Sequence, residues 1–355
     1  MKEKVRAFLK RKNFVITAKR YGIDALGAMA QGLFASLLMG TILNTLGTIL
    51  GMEFFIEMGN YCKGVAGPAM AVAIGYALQA PPLVLFSLIA VGAASNALGG
   101  AGGPLAVLVI AVVAAEFGKV VSKETKVDIL VTPFVTIFVG VVLSMLIAPA
   151  IGTAASAVGN LIMWATELRP FLMGILVSVV VGIALTLPIS SAAICAALGL
   201  TGLAGGAAVA GCCAQMVGFA VLSFRENRWG GLVSQGLGTS MLQMGNIVRN
   251  PKIWIPATLA SAITGPIATC VFRLQMNDPA SAVASGMGTC GMVGPIGVYS
   301  GWVADVASGA KDAITLMDWT GLLLICIVLP AVLTWLIGLV CRRIGWIKEG
   351  DLKLD

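Results

Sequence analysis

The 355 residues are 58% hydrophobic and only 11% charged, more apolar surface than one water-soluble core can hide, so the chain reads as an integral membrane protein. Its formal charge of +7 is carried by residues 1–20 alone, where eight Lys or Arg accompany one acid, Glu3, while the rest holds 15 of each sign. The absence of histidine removes the commonest metal ligand and proton shuttle, the eight cysteines form no CxxC pair, and no Walker loop occurs, which argues against a metal or redox enzyme, a bound cofactor and an ATPase.

Residues 1–20 intersperse their bases with Val5, Phe8, Leu9, Phe14, Val15 and Ile16, the pattern of an amphipathic helix lying on anionic membrane lipid. The positive-inside rule keeps this segment cytoplasmic. Nucleic acid, the other common partner of a basic run, is set aside because a spanning helix follows directly. The first apolar stretch is far longer than the core of a signal peptide, so residue 1 is expected in the mature protein.

Apolar runs recur near 22–52, 64–80, 83–99, 103–121, 129–150, 171–187, 192–223, 253–272, 281–304 and 317–340. A spanning helix needs roughly 20 such residues, so an all-α fold of about ten helical segments is expected. Unbroken runs such as VLVIAVVAAE at 107–116 lack the alternation of barrel strands. Bases at Lys119, Lys123 and Lys126, at Arg225 and Arg228, at Arg249 and Lys252, and at Arg342 and Arg343 mark cytoplasmic ends. Both termini are then inside, and the chain divides into a basic segment 1–20, a transmembrane domain 21–340 and a cytoplasmic tail 341–355. Glu116 precedes Lys119 by three residues, the spacing of a helix ion pair.

Three stretches place polar groups where hydrocarbon is expected, and there a non-helical backbone survives only if shielded or lining a watery cavity. In TLPISSAAIC, 186–195, Pro188 suits the first turn of a new helix, and Ser190 and Ser191 set hydroxyls beside its unpaired amides. The glycines between Gly199 and Gly206 permit a reversal, which makes this a re-entrant hairpin. GLGTSMLQMGN, 236–246, sits in a stretch free of charge from Trp229 to Val248. At about 100° per residue Gln235, Thr239, Gln243 and Asn246 share one helix face, opposite Leu237, Met241, Met244 and Val248. Surface helices normally carry Lys or Arg there, whereas amides and hydroxyls, with Ser240 beside them, suit a neutral hydroxylated ligand. Packing against a protein partner or exposure to the cytoplasm is the other reading of that face. The third stretch, 277–301, again starts a helix at Pro279 and continues in small residues, with position 286 and Thr289 as hairpin sites. Paired interrupted segments point to a midplane substrate site between inverted repeats, and KVDILVTP at 126–133 loosely echoes NPKIWIP at 250–256.

GNYCKGVAGPAMAVAIGYAL (59–78), KVDILVTPFVTIFVGVVLSMLIAPAIG (126–152), TLPISSAAIC and above all SFRENRWGGLVSQGLGTSMLQMGNIVRNPKIWIP (223–256) resemble stand-alone membrane IIC components of the bacterial phosphoenolpyruvate-dependent sugar phosphotransferase system. The resemblance implies a homodimeric inner-membrane carrier that holds a sugar between re-entrant hairpins, while a separate IIB protein, charged on cysteine or histidine, phosphorylates it. The chain lacks the membrane histidine and the Gly-Ile-Thr-Glu-type glutamate of the glucose superfamily. Phosphoryl transfer to a hydroxyl benefits from a base and a positive clamp, roles that fall to Glu226 with Arg225 or Arg228. Two further readings stand beside this one: a carrier or exporter of the same fold that leaves its solute unmodified, and a receptor or scaffold displaying 223–252. Alternating access of elevator or rocking type is expected, with Gly99-Gly100, Gly102-Gly103 and Gly205-Gly206 as flexible points or as close helix contacts.

Overall fold

The computed structural model describes residues 8–277 and 281–354. It is 82% helical, and the one β contact among the described residues is an antiparallel bridge between Gly202 and Met276. Six helical stretches among them are long and apolar enough to cross a membrane, and two shorter ones, Ala66–Ala77 and Pro170–Thr186, are apolar too. The all-α membrane fold expected from composition is the one observed. The chain forms two compact units, Met1–Gly40 with Glu57–Ala154, and Thr41–Ile56 with Ala155–Asp355.

In the first unit, α1 (Arg20–Thr48) enters up to Gly40, followed by α2 (Glu53–Gly64) from Glu57 onward, α3 (Ala66–Ala77), α4 (Pro82–Gly99), α5 (Gly103–Val121) and the first part of α6 (Asp128–Thr166). The apolar stretch Pro82–Val121 is a hairpin rather than one rod: Gly100 takes φ +50, open to glycine and costly for others, and α5 restarts with a proline in its first turn. Helix α3 packs on α1, α4 and α5, closely enough that a Cβ built on Gly67 or Gly92 would lie 2.3 Å from the other's carbonyl oxygen. Small residues replace the missing hydrophobic drive between helices in lipid. Hydroxyls here satisfy themselves locally: Ser87, Ser95, Thr136 and Ser144 donate to the carbonyls four residues back at 2.6–2.8 Å.

One end of this unit is stapled by charge. Lys119, 2% exposed, donates to Glu116 Oε1 at 2.8 Å and to the carbonyls of Asn13 and Leu78 at 3.0 and 3.2 Å. Arg20 reaches Leu78 O at 2.5 Å and Asn13 Oδ1 at 3.0 Å. Arg11 and Lys12 both pair with Glu124 Oε1, at 2.7 and 2.5 Å, and Lys12 also donates to Ser122 O. The Lys12 hydrogen bond, helped by Arg11, holds the exposed Glu124 carboxyl below its ordinary range. A depressed carboxylate stabilises the contact at pH values above the unfolded value, about 4.3, and the contact is lost as pH falls through the lower folded value. A spin label at position 10 should therefore be slow at pH 7 and mobile in acid, and Glu124→Gln should make it mobile at every pH. A label equally slow in that variant would remove Glu124 from the clamp.

The second unit is built round α9 (Gly202–Leu222), whose sides are almost all buried. Helix α7 (Pro170–Thr186) and α12 (Ile255–Pro266) pack against α9 and each other. Gly174, Ser178 and Gly182 recur every four residues along α7, the small-xxx-small spacing that lets backbones touch. A Cβ on Gly211 would lie 1.8 Å from Ser178 O, and one on Gly265 would lie 2.0 Å from Gly174 O. Between α7 and α9 lies the short α8 (Ser191–Ala197), which reverses through Gly199 at φ +58. After α9 come α10 (Phe224–Val233), α11 (Met244–Arg249) and α12, then α13 (Ala282–Ser285), α14 (Val293–Ala307) and α15 (Leu316–Arg343).

Candidate functional site

The two interrupted segments of the second unit meet. Ser190 caps α8, its hydroxyl accepting from Ala193 N at 3.2 Å, because a serine before a helix satisfies one of the orphan amides. Ser191 donates to Gly286 O at 2.7 Å. Position 286 is a glycine and offers no hydroxyl of its own: the neighbouring hydroxyl is that of Ser285, which donates to Ala282 O, and a Cβ at Gly286 would lie 2.6 Å from Ser191 O. Pro188 lies in the non-helical link between α7 and α8, before the first turn rather than in it. Pro279 lies outside the described residues. Beyond α13 the chain turns through Gly288 and Gly291, with φ of +53 and +51, and Thr289 donates to Gly236 O at 2.5 Å, which ties this segment to the 234–243 stretch.

That stretch is not the regular helix of the projection. Ser234–Gly238 is a widened turn, Thr239 is extended with φ −158 and ψ 144, and Ser240–Gln243 is a tight turn leading into α11. Gly236 and Gly238 weaken helix, and the Thr239 hydroxyl accepts from Met241 N at 3.1 Å, competing with a helical backbone. The expected face nevertheless survives as a ladder of buried amides. Gln243 Nε2 donates to Gln235 Oε1 at 2.9 Å, Asn246 Nδ2 to Gln243 Oε1 at 2.8 Å, and Gln235 Nε2 to Ser223 Oγ at 2.8 Å.

The outer partners of the ladder lie in 346–354. Gln243 donates to Leu352 O and Asn246 to Lys353 O, both at 2.9 Å, while Asn227 exchanges bonds of 2.8 Å with Leu352 O and Leu354 N. Asn250 adds Trp346 O and Asp351 Oδ2. Ile347 and Leu352, 2% and 0% exposed, anchor this segment among Phe219, Leu222, Ile247 and Ile253.

Behind Ser240 lies a second, uncharged cluster that the sequence did not single out. Ser240 and Thr186 share a 2.8 Å hydrogen bond, Thr186 reaches Gln215 Oε1 at 3.4 Å, and Trp254 Nε1 donates to the same oxygen at 2.9 Å. Gln215 Nε2 is held only loosely, by Thr258 at 3.4 Å and Ser261 at 3.5 Å. A lone glutamine within the apolar run 202–222 was the available signal, since an amide in hydrocarbon requires partners.

Glu226 has a different partner from those nearest in sequence. Arg342 Nη2 donates to its two oxygens at 2.9 and 3.3 Å and to Leu222 O at 3.2 Å, and the carboxylate side chain is 5% exposed. Arg225 and Arg228 make no ion pair among the described residues. Removing one partner of a buried pair leaves an uncompensated charge, typically 3–5 kcal/mol. Arg342→Gln should thus lower stability by about 3 kcal/mol, measured as a fall in melting temperature in detergent, and Arg342→Met with Glu226→Met should restore most of it. Equal losses in the single and double variants would count against a buried pair.

A family model described as "Phosphotransferase system, EIIC" matches residues 23–354, nearly the whole chain. No curated protein and no solved structure matches. Spanning-length apolar helices and two interrupted segments joined by hydroxyls accord with that match, and the chain belongs to the EIIC family, the multi-pass membrane transporter component of a phosphotransferase system.

Proposed function

We propose that the protein binds a neutral hydroxylated solute, a sugar or polyol, at the seam where the interrupted segment 186–195 meets the 234–254 stretch, and presents it to a separate phosphorylated IIB protein. The observation that carries this reading is the uncharged cluster of Thr186, Gln215, Ser240 and Trp254. Hydroxyls and an amide both donate and accept, and the Gln215 contacts of 3.4 and 3.5 Å are long enough that a ligand hydroxyl replaces them at little loss. Ser190, Ser191 and Thr289 border the same seam. Gln235, Thr239, Gln243 and Asn246 extend it, with Gln243 and Asn246 reaching a ligand only when residues 346–354 are displaced. The working unit is a homodimer with both termini cytoplasmic, supported by the resemblance and by the bases that flank the spans.

A second reading, a carrier that does not phosphorylate its solute, is favoured by the engagement of Glu226 with Arg342 and by the absence of histidine. Reconstituted vesicles tested with labelled sugars, with and without phosphorylated IIB, separate the two. Phosphorylated product only with IIB supports group translocation; unmodified solute crossing without IIB supports the carrier. A neutral hydrogen bond contributes about 1 kcal/mol, so Thr186→Val and Ser240→Ala should each weaken sugar binding about fivefold. Unchanged affinity in both folded variants would move the site elsewhere.

A further inference from the structure

A cleft of about 240 Å3 opens between α10 and the last turns of α15, lined by Phe224, Leu232, Trp335 and Leu339 with Arg225 and Arg342 at its polar side. We propose that this cleft binds an anionic phospholipid, its phosphate on the two arginines and its acyl chain along Trp335 and Leu339. The site is separate from the hydroxyl seam and does not depend on the function assigned to that seam.

Charge supports an anion. Arg225 and Arg342 both line the cleft, Arg225 has no ion pair among the described residues, and Arg342 keeps only one nitrogen on Glu226. The lining decides which anion. A free phosphate gains nothing from a wall of Phe, Leu and Trp, and a phosphate borne on a partner protein needs an aqueous mouth. Helix α15, which supplies Trp335 and Leu339 to the cleft, also exposes Val332, Leu336 and Val340 by 46–56% and ends a stretch long and apolar enough to span. Tryptophan and arginine at a span end are interfacial anchors. Size agrees, since ordinary small-molecule pockets begin near about 300 Å3, so a smaller open cleft holds part of a ligand whose remainder lies along the surface.

The test uses the full chain in neutral detergent, titrated with phosphatidylglycerol, phosphatidylcholine or inorganic phosphate, with bound lipid counted by native mass spectrometry. Phosphatidylglycerol should bind and raise the melting temperature, while the other two should not. One basic side chain at an anionic surface contributes about fivefold in affinity, so Arg225→Gln should weaken phosphatidylglycerol by about that factor, and Trp335→Ala should weaken it too. Equal retention in both variants would overturn the proposal. So would loss in Arg225→Gln but not in Trp335→Ala together with competition by phosphate or by phosphorylated IIB, which would make the cleft a docking point for a phosphorylated protein.

Discussion

Gly211→Val should abolish the folded second unit. A Cβ at this position would lie 1.8 Å from Ser178 O, 2.5 Å from its carbonyl carbon and 2.6 Å from its Cα. Every one of these atoms is backbone, so no side-chain rotation relieves the clash, and α7 and α9 must move apart. Their separation spreads, because a Cβ on Gly182 already meets Gly211 O at 2.8 Å and Gly265 sits against Gly174 and Ser178 on the same α7 face. Overpacking in an adaptable core costs about 1–3 kcal/mol; contact between two helix backbones belongs above that range, a large share of the 5–15 kcal/mol that holds a typical domain. The expected result is little or no monodisperse protein on size exclusion in detergent. Gly230→Ala, where a Cβ meets nothing within 4 Å, is the control and should behave as the parent. A Gly211→Val protein with normal elution and melting temperature would mean that α7 and α9 do not approach this closely.

Removing residues 346–354 should be nearly as damaging, by a different route. Truncating a buried leucine costs about 2–5 kcal/mol, and Leu352 is fully buried, so Leu352→Ala alone should lower the melting temperature clearly. Deletion goes further, because Gln243 and Asn246 each lose a backbone acceptor while keeping only their side-chain acceptor in the ladder, and a buried N–H left without a partner adds about 1–3 kcal/mol. The two effects are separable. In the deleted chain Asn246→Leu removes the orphaned N–H at the end of the ladder and should recover part of the loss, whereas in the intact chain it should destabilise. Only coupled groups give such a reversal in a double-mutant cycle, and the same sign in both backgrounds would show that the contact is incidental.

How far these features were legible depended on the range of the physics involved. The all-α membrane fold was legible because it rests on composition and run length, which need no partner. The break at Gly199 was equally local. The polar face of Gln235, Gln243 and Asn246 was visible as a periodicity, yet its partners were not, since they are main-chain carbonyls 107–109 residues away and carbonyls leave no mark in a sequence. Helical projection also assumed an unbroken helix, and Gly236, Gly238 and Thr239 break it. Glu226 with Arg225 or Arg228 was legible as a base beside a positive clamp, but the partner that holds the carboxylate, Arg342, comes from 116 positions on and was not. Gln215 stayed hidden for the same reason: Thr186, Ser240 and Trp254 surround it only once α7, α9 and the 240–254 stretch are packed.

The amide ladder also sets an order of events during biogenesis. A membrane protein enters the bilayer from its N-terminal end as it is made, and Gln243 and Asn246 are synthesised more than a hundred residues before the carbonyls that satisfy them. Through that interval Gln235 and Gln243 can pair one N–H of each amide, while the other N–H has no acceptor until residues 352 and 353 arrive, a costly state in hydrocarbon. A chain that ends before Trp346 would therefore carry open N–H groups that the finished chain does not, and the last residues made complete the polar pairing of a stretch made long before them.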